Sequence, residues 1–166
     1  MLYALMPDLA MRETREATIP PPGYPRHAPK VPPGRYGMVE LYCVDPACDC
    51  RRVMINVVAE DGRHLATINH AFEPPAPDDP VETIQTYLDP LNKQSPWSAA
   101  FLDLFVNVVL ADPAYAARLV RHYTMIKEAL KDPMHPIHQR IPPERPGGVL
   151  PSTLRPPKQK RWKKPR

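Results

Sequence analysis

Residues 36–71 read YGMVELYCVDPACDCRRVMINVVAEDGRHLATINHA, and this stretch decides the fold. It is rich in β-branched and aromatic residues, which are enriched in β-strands. Turn-forming residues divide it into a strand that ends near Cys43, a second over residues 51–59 and a third over residues 64–70. Asp61-Gly62 is a typical hairpin turn, because glycine accepts the positive φ that tight turns require. The stretch therefore predicts a three-stranded antiparallel β-meander.

Helices are predicted after the strands. Three dipeptides place a capping oxygen directly before a proline, whose fixed φ and missing N–H suit the first turn of a helix. These dipeptides are Asp79-Pro80, Ser95-Pro96 and Asp112-Pro113. They predict helices over residues 80–88, 96–111 and 113–131. The second is apolar nearly all round and is expected to be the central buried helix. The fold class is therefore α+β, with two to three helices packed on the sheet.

Proline marks the expected domain boundaries. Most of the 25 prolines in the 166 residues lie between residues 19 and 34 or from residue 133 onward. We therefore predict a proline-rich N-terminal arm over residues 1–35, a folded domain over residues 36–132 and a disordered, proline-rich basic tail over residues 133–166. A domain of this size buries a modest core, which a bound metal would supplement.

The chain is expected to be cytoplasmic. It has no run of about 18 apolar residues, which excludes the class of membrane-spanning proteins at this stage. Pro7 and Asp8 interrupt the segment where a signal peptide needs its apolar stretch. Three cysteines within eight residues do not build a disulfide framework, and a reducing compartment favours thiolates bound to metal.

Cys43, Cys48 and Cys50 are the candidate ligands of one structural zinc ion. Asp followed by Pro favours a type I turn, so Asp45-Pro46 is expected to reverse the chain just after Cys43. Residues two apart in extended backbone point to the same side, which directs Cys48 and Cys50 toward one centre. Three thiolates then fill three corners of a zinc tetrahedron. A redox pair and a set of small buried side chains are the alternatives.

The fourth ligand is open at this stage. We favour His122, because it falls within the apolar stripe of the third helix, where it would tie that helix to the sheet. A hydrogen-bonded core histidine is the alternative for His122. The other candidates for the fourth ligand are His64, His70, Asp45, Asp49 and water.

Four segments resemble an uncharacterised family of small bacterial proteins. They are YCVDPACDCRRVMINV (42–57), HLATINHAF (64–72), LDPLNKQSPWSAAFLDLF (88–105) and DPAYAARLVRHYTMIK (112–127). The resemblance covers about residues 36–130, and its most specific part is Cys-x4-Cys-x-Cys followed by two arginines. It pairs this motif with Arg121-His122-Tyr123, which supports His122 as a ligand. Some members carry an additional SEC-C metal-binding tail that this chain lacks, and the family implies no activity.

The positive charge of the chain belongs to its tail. Seven of its 22 basic residues lie in residues 155–166, which contain no acid, so 15 basic residues face 18 acidic ones elsewhere. The tail resembles a nucleic-acid-binding arm in which cations surround an aromatic side chain that can stack on a base. The residues expected to bind are Lys158, Lys160, Arg161, Trp162, Lys163 and Lys164. A solubilising terminus is the alternative.

Two classes of function remain after this. The first is a non-catalytic zinc-binding interaction module, whose partner is a nucleic acid or a protein. The second is a small zinc-dependent hydrolytic enzyme with an open metal position, for which Glu40 or Asp49 would be the base. The motifs of zinc deaminases and of His-Glu-x-x-His metalloproteases are both absent from the sequence, and no catalytic residue is assigned. The sequence does not set an oligomeric state.

Overall fold

The computed structural model describes residues 1–21, 31–74 and 84–141, and within them the fold is α+β, as the sequence predicts. Helices come first and last in this part of the chain, and the strands lie between them. The elements in chain order are α1 (Leu2–Leu5), α2 (Pro7–Glu13), β1 (Arg15–Ile19), β2 (Gly34–Leu41), β3 (Arg52–Ala59), β4 (His64–Ala71), β5 (Thr86–Leu88), α3 (Ser98–Leu104), a π-helix (Phe105–Val109), α4 (Pro113–Lys131) and a 3-10 helix (Pro136–Arg140).

The strands form one open sheet in the order β1-β2-β3-β4-β5, and every neighbouring pair is antiparallel. The predicted meander is its centre, β2 to β4. The predicted Asp61-Gly62 hairpin joins β3 to β4, where Gly62 has φ of +82°. The sheet is larger than the sequence predicts, because short strands extend it at both edges.

The first predicted helix is wrong in the part that the structure describes. Residues 86–88 form β5, which pairs with β4. Thr86, Tyr87 and Leu88 are residues that favour strands, and the unpaired edge of β4 offers them backbone hydrogen bonds. The rest of the predicted helix, including Asp79-Pro80, lies outside the described residues.

The second predicted helix is only partly as expected. It begins at Ser98 as α3 and continues as the π-helix to Val109. Phe101, Phe105 and Val109 are buried, but 59% of Val108 is exposed. A π-helix has a wider turn than an α-helix, which changes the phase of the side chains that follow it. For this reason an apolar sequence did not give a helix that is buried all round.

The third predicted helix is confirmed from end to end. Helix α4 spans Pro113–Lys131, and the side chain of Asp112 accepts a hydrogen bond from the backbone N–H of Ala114 at 3.0 Å. Asp132 ends it with extended backbone ahead of Pro133, because a residue that precedes proline avoids the α conformation.

The fold extends past both boundaries that proline content suggested. Helices α1 and α2 bury Leu2, Leu5 and Leu9, and β1 pairs with β2. In the 3-10 helix, Ile137 is fully buried. The division at residues 35 and 132 stays a prediction about domains, but the described residues on either side of it belong to one core.

One apolar core lies between the sheet and the helices. Helix α3 contacts β4, and α4 contacts β3. The largest fully buried side chains include Phe101, Phe105, Tyr115, Ile55 and Ile68. On β2 the buried face runs through Tyr36 and Met38 to Glu40, so a carboxylate lies on the core side of this strand.

Candidate metal centre

The loop between β2 and β3 carries all three cysteines. The backbone N–H of Cys48 donates to the carbonyl of Asp45 at 3.3 Å, which closes a four-residue turn. The side chain of Asp45 accepts a second hydrogen bond from the N–H of Ala47 at 2.9 Å. This is the reversal that Asp45-Pro46 predicts, because an aspartate at the start of a turn bonds to the backbone two residues on.

The turn brings the three sulfur atoms together. Those of Cys43, Cys48 and Cys50 all lie within 4.8 Å of one another, and all three side chains are half-buried. Zinc–sulfur bonds of about 2.3 Å in a tetrahedron place the sulfurs about 3.8 Å apart. The three sulfurs are therefore close enough together to hold one metal ion.

The thiols already interact with one another. Hydrogen bonds from the thiol and backbone N–H of Cys50, and from the thiol of Cys43, lower the pKa of Cys48, and the charge of Lys127 adds to this. Burial, together with the neighbouring thiols, raises the pKa of Cys50 to about 12. A metal that binds all three thiolates must therefore displace the proton of Cys50, so binding strengthens as the pH rises.

Helix α4 contacts this loop through Lys127. The ammonium of Lys127 donates to the carbonyl of Asp45 at 2.7 Å and to the carbonyl of Cys48 at 2.8 Å. It also lies 5.8 Å from the centre of the Tyr123 ring, one turn earlier in the helix. Nothing in the sequence indicated this contact with a loop 79 positions away.

The two arginines after Cys50 have partners outside the cysteine loop. Arg51 forms an ion pair with Glu73 at 2.6 Å, and its guanidinium lies 5.9 Å from the Tyr123 ring centre. Arg52 donates to the hydroxyl of Tyr87 on β5 at 3.1 Å.

The structure does not bring His122 to the sulfur atoms. His122 is fully buried, as its place in the apolar stripe predicts, but its Nδ1 lies 2.7 Å from Oε2 of Glu40. Its Nε2 lies 3.2 Å from Oε2 of Glu13 on α2. Both ring nitrogens face carboxylates, so His122 joins α4 to β2 and α2 by hydrogen bonds.

Glu40 is the centre of this buried polar group. Only 2% of it is exposed, and its Oε2 also accepts from the hydroxyl of Tyr42 at 2.8 Å. The sequence indicated Glu40 only as a candidate general base. Its spacing of two and four residues from Met38 and Tyr36 was the available signal, because residues at that spacing share one face of a strand.

The other candidates for a fourth ligand lie in different settings. His64 contacts the hydroxyl of Thr67 at 2.9 Å, and His70 contacts the hydroxyl of Thr86 at 2.8 Å. Burial lowers the pKa of His70. Asp45 and Asp49 are exposed and belong to the cysteine loop itself. Within residues 1–21, 31–74 and 84–141, the group of side chains that lie close enough together to hold one metal ion contains the three cysteines and neither His64 nor His70.

Two cavities lie elsewhere on the molecule. The larger has a volume of about 390 Å³ and walls that include Tyr36, Trp97 and Phe101. The smaller has a volume of about 260 Å³ and is lined by residues of β2 and β3, among them Gly37 and Val58. None of the three cysteines lines either of them.

Comparison of the chain with protein-family models, curated proteins and solved structures finds no match. The resemblance to small bacterial proteins therefore stays a prediction. Among the described helices, none is both long and apolar enough to cross a membrane alone; Ser98–Val109 and Pro113–Lys131 pass that test only as a pair, bent by 103°. The tail residues predicted to bind nucleic acid lie outside the described part of the chain.

Proposed function

We propose that this protein is a non-catalytic, zinc-binding interaction module, in which Cys43, Cys48 and Cys50 bind one zinc ion. The observation that supports this most is the closeness of three sulfur atoms on a loop that a hydrogen-bonded turn already shapes. Thiolates favour zinc, copper(I) and iron–sulfur clusters over magnesium or calcium. The zinc ion would crosslink the ends of β2 and β3. Membership of the small bacterial family belongs to the same proposal.

The fourth zinc ligand is Asp45, Asp49 or water in this proposal. Each aspartate lies in the same loop as the cysteines and is exposed, so small changes of the loop bring it toward the ion. His122 is less suited, because a metal bond at either nitrogen would replace a hydrogen bond to Glu13 or Glu40.

Metal analysis of the full chain tests the proposal. We expect one zinc per chain after purification under reducing conditions, and X-ray absorption that fits three sulfur ligands at about 2.3 Å and one oxygen. Cys48→Ser should lower the zinc content well below one, whereas His64→Asn should leave it unchanged. Protein that binds no zinc when offered it, or that binds it through fewer than two sulfurs, would contradict the proposal.

A hydrolytic enzyme with an open metal position is the second candidate. A water at the fourth position is the feature that would favour it, because catalytic zinc keeps such a water. The position of the cavities favours the module, since enzymes place their metal in a pocket that encloses the substrate. Hydrolysis of activated esters that needs zinc and disappears in Asp49→Asn would favour the enzyme. We expect no zinc-dependent turnover.

The basic tail is proposed to bind single-stranded nucleic acid. Seven cations in residues 155–166 and the indole of Trp162 support this by composition. The affinity of the full chain for a single-stranded oligonucleotide should fall with salt, with a log–log slope of about −0.7 for each phosphate contacted. Deletion of residues 155–166 should abolish binding, whereas Trp162→Ala should weaken it and keep the slope. Binding that the truncated chain retains, or that salt leaves unchanged, would contradict this.

A further inference from the structure

One side chain from outside the cysteine loop holds its turn. Lys127 donates to the carbonyls of Asp45 and Cys48, the first and last residues of the turn that brings the cysteines together. The same carbonyl of Asp45 accepts from the N–H of Cys48. One ammonium group therefore binds both ends of the reversal, and moving it would let the turn open.

The loop has few other ties to the rest of the protein. Between Cys43 and Cys50, the remaining hydrogen bonds of the described residues are local: Ala47 to Asp45, Cys48 to Asp45, the N–H of Cys50 to the sulfur of Cys48, and those among the three thiols. In the part of the chain that the structure describes, the two hydrogen bonds that join this stretch to another element both come from Lys127. Tyr42 and Arg51 on either side of the stretch also contact α4, at the carbonyl of Leu119 and the ring of Tyr123, and Lys127 adds the contact at the turn itself.

The surroundings of Lys127 hold its long side chain in place. Tyr123, one turn earlier in α4, packs edge-on against Phe72 with ring centres 5.3 Å apart. The ammonium of Lys127 lies over this ring at 5.8 Å, where the electron-rich face of the ring attracts a cation. The lysine thus loses less side-chain freedom on reaching the loop than a lysine in open solvent would.

The charge of Lys127 suits a zinc–thiolate group. Three thiolates and one divalent ion carry a net charge of −1 when the fourth ligand is neutral. An ammonium that binds carbonyls of the same loop offsets that charge. It cannot be a ligand itself, because a protonated amine has no free lone pair.

We infer that Lys127 is a positioning residue for the metal, an inference that rests on the proposed zinc site. It holds the loop in the conformation that binds zinc and balances the charge of the thiolates. Residues that orient metal ligands in this way change metal affinity by about 10- to 100-fold when they are replaced. Loss of Lys127 should therefore weaken zinc binding by a factor in that range while all three cysteines are still present.

The test compares the zinc affinity of four full-length proteins by competition with a chromophoric chelator. They are the wild type, Lys127→Met, Lys127→Arg and the control Lys131→Met. Methionine keeps the length and helix propensity of lysine but removes its charge and its donors. Lys131 is an exposed lysine one turn later in the same helix, so its replacement removes the same charge from α4 without touching the loop.

We expect Lys127→Met to bind zinc about 10- to 100-fold more weakly than the wild type. Lys127→Arg should recover most of the affinity, because arginine keeps the charge and can donate to both carbonyls. Lys131→Met should bind like the wild type. The absorption bands of bound cobalt(II), which report ligand geometry, should change in Lys127→Met and not in the control. Urea unfolding without metal separates these effects from a general loss of stability, and Lys127→Gln replaces Lys127→Met if that variant does not fold.

The outcomes distinguish a failure of this inference from a failure of the proposed zinc-binding function on which it rests. A wild type that binds one zinc through its cysteines, with a Lys127→Met variant of equal affinity and an unchanged cobalt spectrum, would overturn the positioning role alone. A wild type that binds no zinc would overturn both. A Lys127→Met variant that is less stable without metal but binds zinc normally would show that Lys127 only supports the helix, which also contradicts the inference.

Discussion

At the scale of single residues, His122 shows how buried polar groups are satisfied in this protein. Both of its ring nitrogens face carboxylate oxygens, those of Glu40 and Glu13. The ring nitrogen of His122 and the hydroxyl of Tyr42 are the hydrogen-bond partners of the buried Glu40 Oε2. A buried polar group without such partners would destabilise the fold.

Replacement of His122 should therefore destabilise the fold and leave metal binding intact. His122→Asn removes a hydrogen-bond partner from the buried carboxyl of Glu40, and leaving a buried polar group unsatisfied costs about 1–3 kcal/mol. Urea unfolding should show that loss, and metal analysis should still find one zinc per folded chain. His64→Asn is the control, because His64 is exposed and lies at the start of β4. Loss of zinc from a folded His122→Asn protein would instead support the original assignment of His122 as a ligand.

Glu13 should make the stability of the protein sensitive to acid. Burial alone would raise its pKa, but the hydrogen bond from His122 and the charges of Arg121, His122 and Arg118 together lower it. A carboxyl group whose folded pKa is below its unfolded value of about 4.3 stabilises the fold above that value. This contribution disappears as the pH falls through the folded pKa.

The measurement is the free energy of unfolding in urea between about pH 3 and pH 6. The wild type should be more stable than Glu13→Gln at pH 6, and the difference should shrink as the pH falls below about 4. A stability difference that is constant over this range would contradict the prediction, because it would mean that the pKa of Glu13 is the same in the folded and unfolded states.

The sequence predicted the cysteine group and the burial of His122, but not the partners of His122. Cysteines five and two positions apart around Asp45-Pro46 are local, so turn chemistry predicts that they come close together. The partners of His122 are 82 and 109 positions away. Which of them it meets depends on the sheet register and on the docking of α2, and neither follows from local patterns.

At the scale of elements, the secondary structure predicted from the sequence agrees with the structure for the long segments and not for the short ones. Helix α4 has a capping aspartate, a proline and a regular apolar stripe, which agree with one another. Strand β5 has three residues, which are too few to show the alternation of apolar and polar residues that is typical of strands. It forms because β4 has a free edge. The π-helix after α3 is likewise set by packing, since propensity does not distinguish it from an α-helix.

The hairpin between β3 and β4 gives a prediction at this scale. Gly62 has φ of +82°, and a side chain in that region costs about 1 kcal/mol or more. Gly62→Ala should lower the free energy of unfolding in urea by about that amount, although a Cβ there would touch nothing within 4 Å. Gly37→Ala is the control in β2, where the added Cβ would meet the carbonyl of Val58 at an ordinary 3.9 Å. Equal effects of the two substitutions would mean that the turn does not require glycine.

At the scale of the whole molecule, the core and the proposed zinc site are separate sources of stability. The core runs from α1 to the 3-10 helix, whereas the cysteines lie at one end of the sheet. Removal of zinc with a chelator and a reductant should therefore lower the melting temperature without unfolding the protein at 25 °C. Zinc at about 100 times its Kd contributes about 2.7 kcal/mol, which corresponds to roughly 5–11 °C for a chain of this length.

Circular dichroism with and without the chelator measures this shift. Cys48→Ser is the control, and the chelator should leave its melting temperature unchanged. Complete loss of the far-ultraviolet signal at 25 °C on chelation would show that the core depends on the metal in the way that a zinc finger does.

The contacts between the first and last described helices set an order for folding during synthesis. Strands β2 to β4 are consecutive and can pair as soon as they leave the ribosome. Helix α1 contacts β2, which is made early, but other partners of the N-terminal helices are made much later: Arg140 donates to the carbonyl of Leu5, and Arg121 pairs with Glu13. Until α4 has been translated, the apolar side chains of α1 and α2 have no complete site to enter. A nascent chain stalled before residue 113 would therefore present Leu2, Leu5 and Leu9 to chaperones, and one released after residue 141 would not.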